Sequence, residues 1–418
     1  MTLTSVPAEK QAVLIGSEAL LIECARTLQA QGFAIAAVVS AQATIRRWAA
    51  DQGIARFDRP EDLLRADAPR GFGWLFGITH LEIVAPEVLA LATHGAINFH
   101  DGPLPEYAGL NTPVWALLNG ETEHGVTWHR MTREVDRGDI LAQRRFALAA
   151  DETALTLNTR CFEAGIESFE QVARGLAAGT LVARAQATAP QHLYKRKDRP
   201  LAVIDGMTGA AQTARLVRAL DFGTYANPVA CAKLLAPRGT LLVGGAEVTE
   251  RPSTKAPGSV VAIDAQALTI ATTDSDLRLT GLLRTCGSAI DPISAAQAHG
   301  LQVGTRLIAA DAALRAQLDA RAAHEPFWQE LLETQEALEL PVIDRSQPAA
   351  TTAHHPLDLT LPAALRALSA PQRLASVLAW LARCADKAGF DVGFALPPQA
   401  GEHPGLWAQQ RPWRADVD

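Results

Sequence analysis

The sequence predicts an α/β fold that begins with an open, mostly parallel sheet. Residues 11–40 read as strand, helix and strand: the apolar run AVLIG, the helical pattern EALLIECARTLQAQG, and the apolar run FAIAAVVS. The alternation continues through TIRRWAADQG, EDLLRAD and the apolar GWLFGI, and GAINFH at 95–100 supplies a further strand. Strands that alternate with helices are typical of a parallel sheet covered by helices, here over residues 1–190.

Composition fits a globular protein with more than one domain. Hydrophobic residues make up 48% of the 418 residues and charged residues 20%, which supplies enough apolar material for packed cores. The net charge of −7 excludes a general nucleic-acid binder. Apolar stretches end well before the roughly 18 residues of a membrane span, and the N-terminus lacks an export pattern. We therefore expect a cytoplasmic protein without nucleic-acid or membrane partners.

Two further segments follow a linker. The stretch ATAPQHLYKRKDRP at 187–200 has the composition of a linker, and its Lys195, Arg196 and Lys197 predict a solvated turn. Short strands such as TLLVGG, GSVVAID, LTIATTD and LRLTGLL predict a small β-barrel-like, OB-like subdomain over 201–310. Beyond it, the pattern becomes helical with strand-like pieces over 320–418.

Residues that carry chemistry are concentrated in 97–141. Asn98 and His100 stand two apart on one strand, so both side chains project to the same side. Asp136 follows the strand VTWHRM, where the sheet can bring a carboxylate beside that pair. An amide donor, an imidazole and a carboxylate suit acyl transfer to an amine, because an oxyanion develops and the amine loses a proton. Gly16 stands alone after the first strand, so no dinucleotide-binding glycine motif is present.

Several motifs in this stretch together resemble the folate-dependent formyltransferase family. They are Asn98-Phe99-His100, Pro103-Leu104-Pro105, Gly109, Asn119-Gly120-Glu121, Gly125-Val126-Thr127, and Val135-Asp136 followed by Gly138-Asp139. The resemblance spans 11–190 and extends loosely to 310. It implies an open parallel, Rossmann-like formyltransferase sheet with 10-formyltetrahydrofolate as co-substrate. The loop that reads Ser-Leu-Leu-Pro in the family reads Gly102-Pro103-Leu104-Pro105 here, so a role for the family's serine hydroxyl has no support.

The resemblance also assigns roles to individual residues. Asn98 and His100 would polarise the formyl carbonyl and stabilise the oxyanion, while Asp136, rather than the neighbouring Asp139, would orient His100 and help to move the proton through water. Residues 77–84 would contact the pterin. The residues implied for co-substrate binding are Phe76, Gly77, Ile78, Leu81, Val135 and Gly138.

The residues around these motifs also allow simpler interpretations. Phe76 and Ile78 alternate along an apolar strand, which favours the core for their side chains and leaves the backbone for co-substrate contacts. His94 and His124 are expected in surface turns, and His129 is left open between core and pocket. The five cysteines are scattered, which predicts free thiols, and no pattern predicts a metal site.

The C-terminal segment, 320–418, resembles part of a condensation domain of nonribosomal peptide synthetases. His354 and His355 do not complete the His-His-x-x-x-Asp-Gly site of that domain, because Leu359 stands in place of the aspartate. The segment is therefore expected to be noncatalytic. It would place the formyltransferase at the start of a larger synthetase.

The acceptor implied by this resemblance is the amine of an amino acid, carrier-bound or free, in nonribosomal peptide or siderophore biosynthesis. The loop Asp101-Gly102-Pro103-Leu104-Pro105 resembles the formylation domains of such synthetases. An amino-sugar nucleotide N-formyltransferase is the first alternative, since those enzymes share the Pro-Leu-Pro loop. A catalytically dead docking module is the second, and the intact Asn98, His100 and Asp136 argue against it.

Overall fold

A computed structural model describes residues 6–187, 192–322, 362–395 and 410–417. It also describes residues 324, 327, 328, 331, 332, 334, 335, 338, 339, 403 and 406. The chain forms two compact units, Met1–Arg315 and Ala316–Asp418. The first unit contains both the sheet domain and the second domain expected from the sequence, while His354 and His355 lie outside the described residues.

The described residues up to position 200 form the parallel-rich α/β layer that the sequence predicts. Its strands are β1 (Gln11–Gly16), β2 (Ala34–Val39), β3 (Ala55–Phe57), β4 (Trp74–Ile78), β5 (Gly95–His100), β6 (Tyr107–Gly109), β7 (Glu123–Arg130), β8 (Ile140–Ala147) and β9 (His192–Tyr194). Seven of them pair in the order β3-β2-β1-β4-β5-β7-β8. The first five are parallel, and β7 and β8 join antiparallel. A separate two-stranded parallel sheet pairs β6 with β9.

Helices cover this sheet and bury its apolar side chains. They are α1 (Leu20–Ala30), α2 (Ala43–Asp51), α3 (Pro86–Leu89), α4 (Thr112–Asn119) and α5 (Ala154–Ala178), with short 3-10 helices at Ala8–Lys10 and Pro60–Leu64. Thr153 begins α5 as its N-cap, because its hydroxyl accepts the Thr156 N–H at 3.2 Å. Phe169 of α5 packs edge-on against Phe76 of β4, with ring centroids 5.6 Å apart. Phe76 is therefore a core residue, as its alternation in the sequence predicts.

The second part of this unit is built on a six-stranded sheet. Its elements are β10 (Val203–Ile204), α6 (Ala210–Ala219), β11 (Lys233–Ala236), β12 (Gly239–Pro252), β13 (Val260–Ile263), β14 (Leu268–Ala271), β15 (Ser275–Leu283) and α7 (Pro292–His299). The next helix along the chain, α8 (Ala312–Ala322), begins in this unit and continues past its last residue, Arg315. The strand order is β10-β11-β12-β15-β14-β13. Among the described residues no ladder joins β10 to β13, so the predicted barrel is not confirmed. A strand of two residues, such as β10, offers little backbone for closure.

The second unit is small. It contains α9 (Ala363–Arg366), α10 (Ala370–Ala385), and the antiparallel pair β16 (Gly389–Ala395) and β17 (Gln410–Asp416). Asp391 is buried, and its carboxylate accepts two hydrogen bonds from the Arg414 guanidinium, at 3.0 and 2.6 Å. These elements do not confirm the resemblance to a condensation domain. Across the parts of the chain that the structure describes, no helix is long and apolar enough to cross a membrane.

Candidate active site

Strand β5 places Asn98 and His100 at the carboxyl end of the parallel sheet, where open α/β sheets bind ligands. Its neighbours set the environment of Asn98: Gly77 of β4 pairs with it on one side and His129 of β7 on the other. A Cβ atom on Gly77 would lie 2.8 Å from Asn98 Oδ1, closer than such atoms approach. A glycine at position 77 therefore makes room for the Asn98 amide.

His100 is held in one orientation by its Nε2 atom. This nitrogen donates a hydrogen bond to the Tyr107 carbonyl oxygen at 2.7 Å, and the side chain is 5% exposed. Because a carbonyl oxygen only accepts, the neutral ring carries its proton on Nε2. Nδ1 is then the basic atom, and it faces Asp136 Oδ2 at 3.6 Å and Asp101 Oδ1 at 3.8 Å.

Asp136 reaches this position through an unusual backbone conformation. Its φ is 53°, in the left-handed region that few residues other than glycine adopt. Gln186 Nε2 donates to the carbonyl oxygens of Asp136 and Gly138, at 2.8 Å each, and so stabilises the turn. The carboxylate accepts the Gly109 N–H at 2.8 Å. Asp139 is exposed, so the structure brings Asp136, and not Asp139, beside His100.

Asp136 is kept ionised by its neighbours. Burial raises the pKa of this carboxyl, but the charge of His100, the hydrogen bond and charge of His129, and the Gly109 N–H together outweigh burial and lower its pKa well below the usual value. Asp101 shows the opposite balance. Burial raises the pKa of Asp101, although His100 and a hydrogen bond from Thr112 act in the other direction.

His129, whose side chain the sequence left open between core and pocket, lies between Asn98 and Asp136 in the site. Its Nε2 lies 3.3 Å from Asn98 Nδ2 and 3.3 Å from Asp136 Oδ1. Its Nδ1 donates to the Arg130 carbonyl oxygen at 2.9 Å. Neutral His129 therefore accepts from Asn98 through Nε2, and the protonated form donates to Asp136. The signal was present in the strand pattern: Trp128 is fully buried on one face of β7, so His129 takes the other face.

The site opens into a cavity of about 620 Å³. One wall is apolar and comes from the segment between β4 and β5 and from the loop after β7. Three of its side chains are strongly exposed: Leu81 by 63%, Ile83 by 79% and Val135 by 41%. The wall consists of Leu81, Ile83, Val84, Leu89, Met131 and Val135. A second wall follows β6 and β9, and it ends in Lys195 and Arg196.

The residues expected to bind co-substrate divide into two groups. Leu81 and Val135 line the cavity. Phe76, Gly77, Ile78 and Gly138 are not among its lining residues, and contacts of their backbone with the co-substrate stay a prediction. The side chains of Phe76 and Ile78 are fully buried in the core, and Gly77 accommodates Asn98. Gly138 lies against the backbone of Arg130, where a Cβ atom would come within 1.8 Å of the carbonyl oxygen.

The flanking histidines also differ from each other. His94 is exposed, as expected, whereas the prediction of a surface turn was wrong for His124. His124 belongs to β7, is 1% exposed, and donates from Nε2 to the Asp101 carbonyl oxygen at 2.8 Å. Burial lowers the pKa of His124 to about 4, so the ring is neutral near pH 7. The five cysteines are free thiols, as predicted.

Comparisons with known proteins found a family model and solved structures that are similar to this chain. Residues 78–173 match the family model described as formyl transferase. The structure of WlaRD, a sugar 3N-formyl transferase in the presence of dTDP and 5-N-formyl-THF, is similar in fold: it is 18% identical, with 65% of this chain and 97% of that chain covered, at a TM-score of 0.51. An N-formyltransferase from Helicobacter canadensis in complex with folinic acid and dTDP-3-aminofucose matches with 18% identity over 65% of this chain and 98% of that chain, at a TM-score of 0.49.

A third similar structure is a longer protein, of which less than half is covered by the match. HypX from Aquifex aeolicus in complex with tetrahydrofolic acid is 18% identical over 68% of this chain and 46% of that chain, with a TM-score of 0.48. Asn98, His100 and Asp136 all lie within the range that the family model matches. The chain therefore carries a formyl transferase domain.

Proposed function

We propose that this chain moves the formyl group of 10-formyltetrahydrofolate to the amine of an amino acid, carrier-bound or free, in nonribosomal peptide or siderophore biosynthesis. One observation carries the catalytic part of the proposal. Asn98, His100 and Asp136 converge at one cavity, with His100 Nδ1 3.6 Å from Asp136 Oδ2. A catalytically dead docking module would have no need for this arrangement.

The apolar wall suits the donor. Leu81, Ile83 and Val135 expose large apolar side chains beside the site, and exposed apolar surface of this kind marks binding sites. The flat ring system of a folate would cover such a wall. The 5-N-formyl-THF named for the WlaRD structure, whose fold is similar, supports the same donor class.

Asn98 is placed to stabilise the oxyanion. Its Nδ2 atom carries two protons, and neutral His129 accepts one of them through Nε2 at 3.3 Å. The other proton can be donated to the formyl oxygen as negative charge develops there. A preorganised donor of this kind typically contributes about 10²–10³ in rate.

His100 is placed to handle the proton. Its Nε2 is occupied by Tyr107, so Nδ1 takes the proton that the attacking amine loses. The resulting imidazolium faces ionised Asp136 at 3.6 Å, which stabilises it. His100 then returns the proton to the leaving nitrogen of the folate, directly or through water.

Atoms balance across this step. A bond forms between the amine nitrogen and the formyl carbon, and the bond between that carbon and N10 of the folate breaks. One proton moves from the amine to the leaving nitrogen through His100. The products are an N-formyl amine and tetrahydrofolate, and no oxidant or metal is required.

A second acceptor class has specific support. WlaRD, whose fold is similar, is a sugar 3N-formyl transferase described with dTDP. An amino-sugar nucleotide is therefore the alternative acceptor for this chain. In either case the same three residues perform the transfer, and the alternatives differ only in what carries the amine.

The experiment is a folate-release assay on the purified chain with 10-formyltetrahydrofolate. The acceptors are an aminoacyl-loaded carrier protein, free amino acids including hydroxyornithine, and an amino-sugar nucleotide. Turnover with the carrier or a free amino acid supports the proposal. Turnover only with the sugar nucleotide favours the alternative, and no turnover with any acceptor contradicts both.

A further inference from the structure

The second wall of the cavity contains two basic side chains, Lys195 and Arg196, that have no role in the proposed transfer step. Lys195 and Arg196 line the same cavity as Asn98 and His100, although the sequence favoured a solvated turn for them. The turn is indeed exposed, but two of its three basic residues face the cavity. Lys197, the third, is not among the lining residues.

The strand before this turn is fixed to the catalytic centre. Tyr194 of β9 pairs with Gly109 of β6, and its carbonyl oxygen accepts the Leu110 N–H at 2.9 Å. Gly109 in turn donates its own N–H to Asp136. A Cβ atom on Gly109 would lie 2.0 Å from the Tyr194 carbonyl oxygen, so the close approach of these two strands requires a glycine. Lys195 therefore follows directly on a residue packed beside the site.

Side-chain packing holds β9 in place as well. The Tyr194 ring stacks on Trp115, with centroids 4.7 Å apart and planes 9° apart. Asn119 Nδ2 donates to the hydroxyl oxygens of Tyr194 and Tyr107, both at 3.0 Å. The 195–198 turn is closed by Asp198, whose carboxylate accepts the Lys195 N–H at 2.7 Å. The basic turn is thus presented from an ordered support.

Lys195 and Arg196 have no ion-pair partner among the residues that the structure describes. Neither side chain takes part in an ion pair or a hydrogen bond with any residue that the structure describes. The other acidic and basic side chains that line the cavity are His80, Glu82, His100, Asp101, His129, Arg133, Glu134 and Asp136. Asp136 is engaged by His100 and Gly109, while Glu82, Arg133 and Glu134 belong to the loops that form the apolar wall.

We infer that Lys195 and Arg196 bind a phosphate group of the formyl acceptor. An acceptor amine is itself cationic before it reacts, so two cations beside it serve an anionic part of the same molecule. A doubly charged phosphate matches two adjacent cationic side chains better than a single carboxylate does. This inference rests on the proposed function and narrows its acceptor to a phosphate-bearing amine, which excludes a free amino acid.

Two kinds of acceptor carry both an amine and a phosphate, and matched pairs of ligands with and without the phosphate distinguish them. An aminoacyl thioester of phosphopantetheine differs from that of pantetheine only by the phosphate. A dTDP-linked amino sugar differs from the free amino sugar by its pyrophosphate and nucleoside. Calorimetric titration of the full chain with both pairs compares the wild type with Lys195→Ala/Arg196→Ala and with Lys197→Ala, which removes one charge from the same turn outside the cavity.

In one of the pairs we expect loss of the phosphate to weaken binding at least tenfold in the wild type and in Lys197→Ala. An effect of this size is expected because hydrogen bonds to charged groups typically contribute about 1.5–3 kcal/mol, or at least about tenfold in affinity. In the double variant, which lacks both cations, the phosphate should change the affinity less than twofold. The pair that shows the effect identifies the source. An equal phosphate effect in all three proteins, or none in the wild type with either pair, overturns the inference.

The donor provides a second check, because the glutamate tail of a folate is also anionic. If the double variant raises the KM for 10-formyltetrahydrofolate and leaves acceptor binding unchanged, the two cations bind the donor and the inference is wrong. Product analysis keeps the proposed function separate. Phosphate-dependent binding without any formylated product would contradict the proposed function and leave the phosphate site standing.

Discussion

The amide oxygen of Asn98 occupies the space in which a side chain at Gly77 would stand, since a Cβ atom there would lie 2.8 Å from Asn98 Oδ1. The two residues pair across β4 and β5. Strand β4 is otherwise apolar and fully buried, so a glycine within it costs packing. A glycine in this buried strand therefore loses side-chain packing, and the space it leaves accommodates the Asn98 amide.

Gly77→Ala should lower kcat by about 10²-fold, because it displaces the Asn98 amide, and misplacement by about 1 Å has an effect of this size. Asn98→Ala should lower kcat by about 10²–10³-fold. The test is a double-mutant cycle measured by formyl transfer. We expect Gly77→Ala/Asn98→Ala to resemble Asn98→Ala alone; losses that multiply would contradict the steric coupling.

Asp136→Asn should lower kcat by about 10²–10⁴-fold, the usual range for a group that assists proton transfer. The amide keeps the shape of the side chain but removes the charge that faces His100 Nδ1 at 3.6 Å. Asp139→Asn is the matched control, because Asp139 is exposed three residues away. Equal losses in the two variants would argue against the role of Asp136.

Asp136 should also make stability depend on acid pH. Its pKa in the folded chain is lowered below the value of about 3.9 in unfolded chains. Stability from the ionised group is then fully present above about pH 4 and is lost as the pH falls further. Thermal unfolding midpoints of the wild type and Asp136→Asn should therefore converge below pH 4. A difference that stays constant from pH 6 to pH 3 would show that the charge does not contribute.

His124 should make the folding stability depend on pH in a higher range than Asp136 does. Burial lowers its pKa to about 4, whereas unfolded chains have a value of about 6.5. The unfolded state binds the extra proton first, so stability is full above about pH 6.5 and falls toward pH 4, by roughly 3 kcal/mol in total. His124→Gln, which does not titrate, should lose less stability over this range. Parallel pH profiles of the two proteins would be inconsistent with a buried neutral His124.

Gln186→Ala tests the turn that presents Asp136. Gln186 Nε2 donates to two carbonyl oxygens of this turn, and Asp136 holds a φ of 53° within it. Backbone strain of this kind costs on the order of 1–3 kcal/mol and persists only when surrounding contacts enforce it. We expect kcat to fall about tenfold with a small change in the unfolding midpoint. An unchanged kcat would mean that the turn holds without Gln186.

The sequence predicted the parallel-rich sheet. It also predicted that Asn98 and His100 project to the same side of one strand, because both features follow from local periodicity. Spacing alone could not reveal the left-handed conformation of Asp136 or its bond to Gly109, 27 residues away. The contacts of His129 depend on the register of β7 against β5, which one residue of slip would reverse. The cavity position of Lys195 depends on the β6–β9 pairing, a long-range contact without a local signal.

Two expectations depend on contacts that local composition does not show. His124 stands between Glu123 and Gly125, a polar setting typical of a turn, yet β7 begins at Glu123 and buries the ring under the site. The strands of 201–310 were recognised, but their closure into a barrel depends on pairing between strands that are far apart in the chain. The described strands pair in a linear order, and their closure into a barrel stays a prediction.

The most direct test of the account is formyl transfer by His100→Ala beside His94→Ala. His100 is 5% exposed and takes part in the proposed proton transfer, whereas His94 is exposed and lies six residues earlier in the chain. In a single-turnover assay with 10-formyltetrahydrofolate and the acceptor that turns over, we predict a loss of about 10²–10⁴-fold for His100→Ala and wild-type rates for His94→Ala. Full formyl transfer by a folded His100→Ala protein would contradict the assignment of this site.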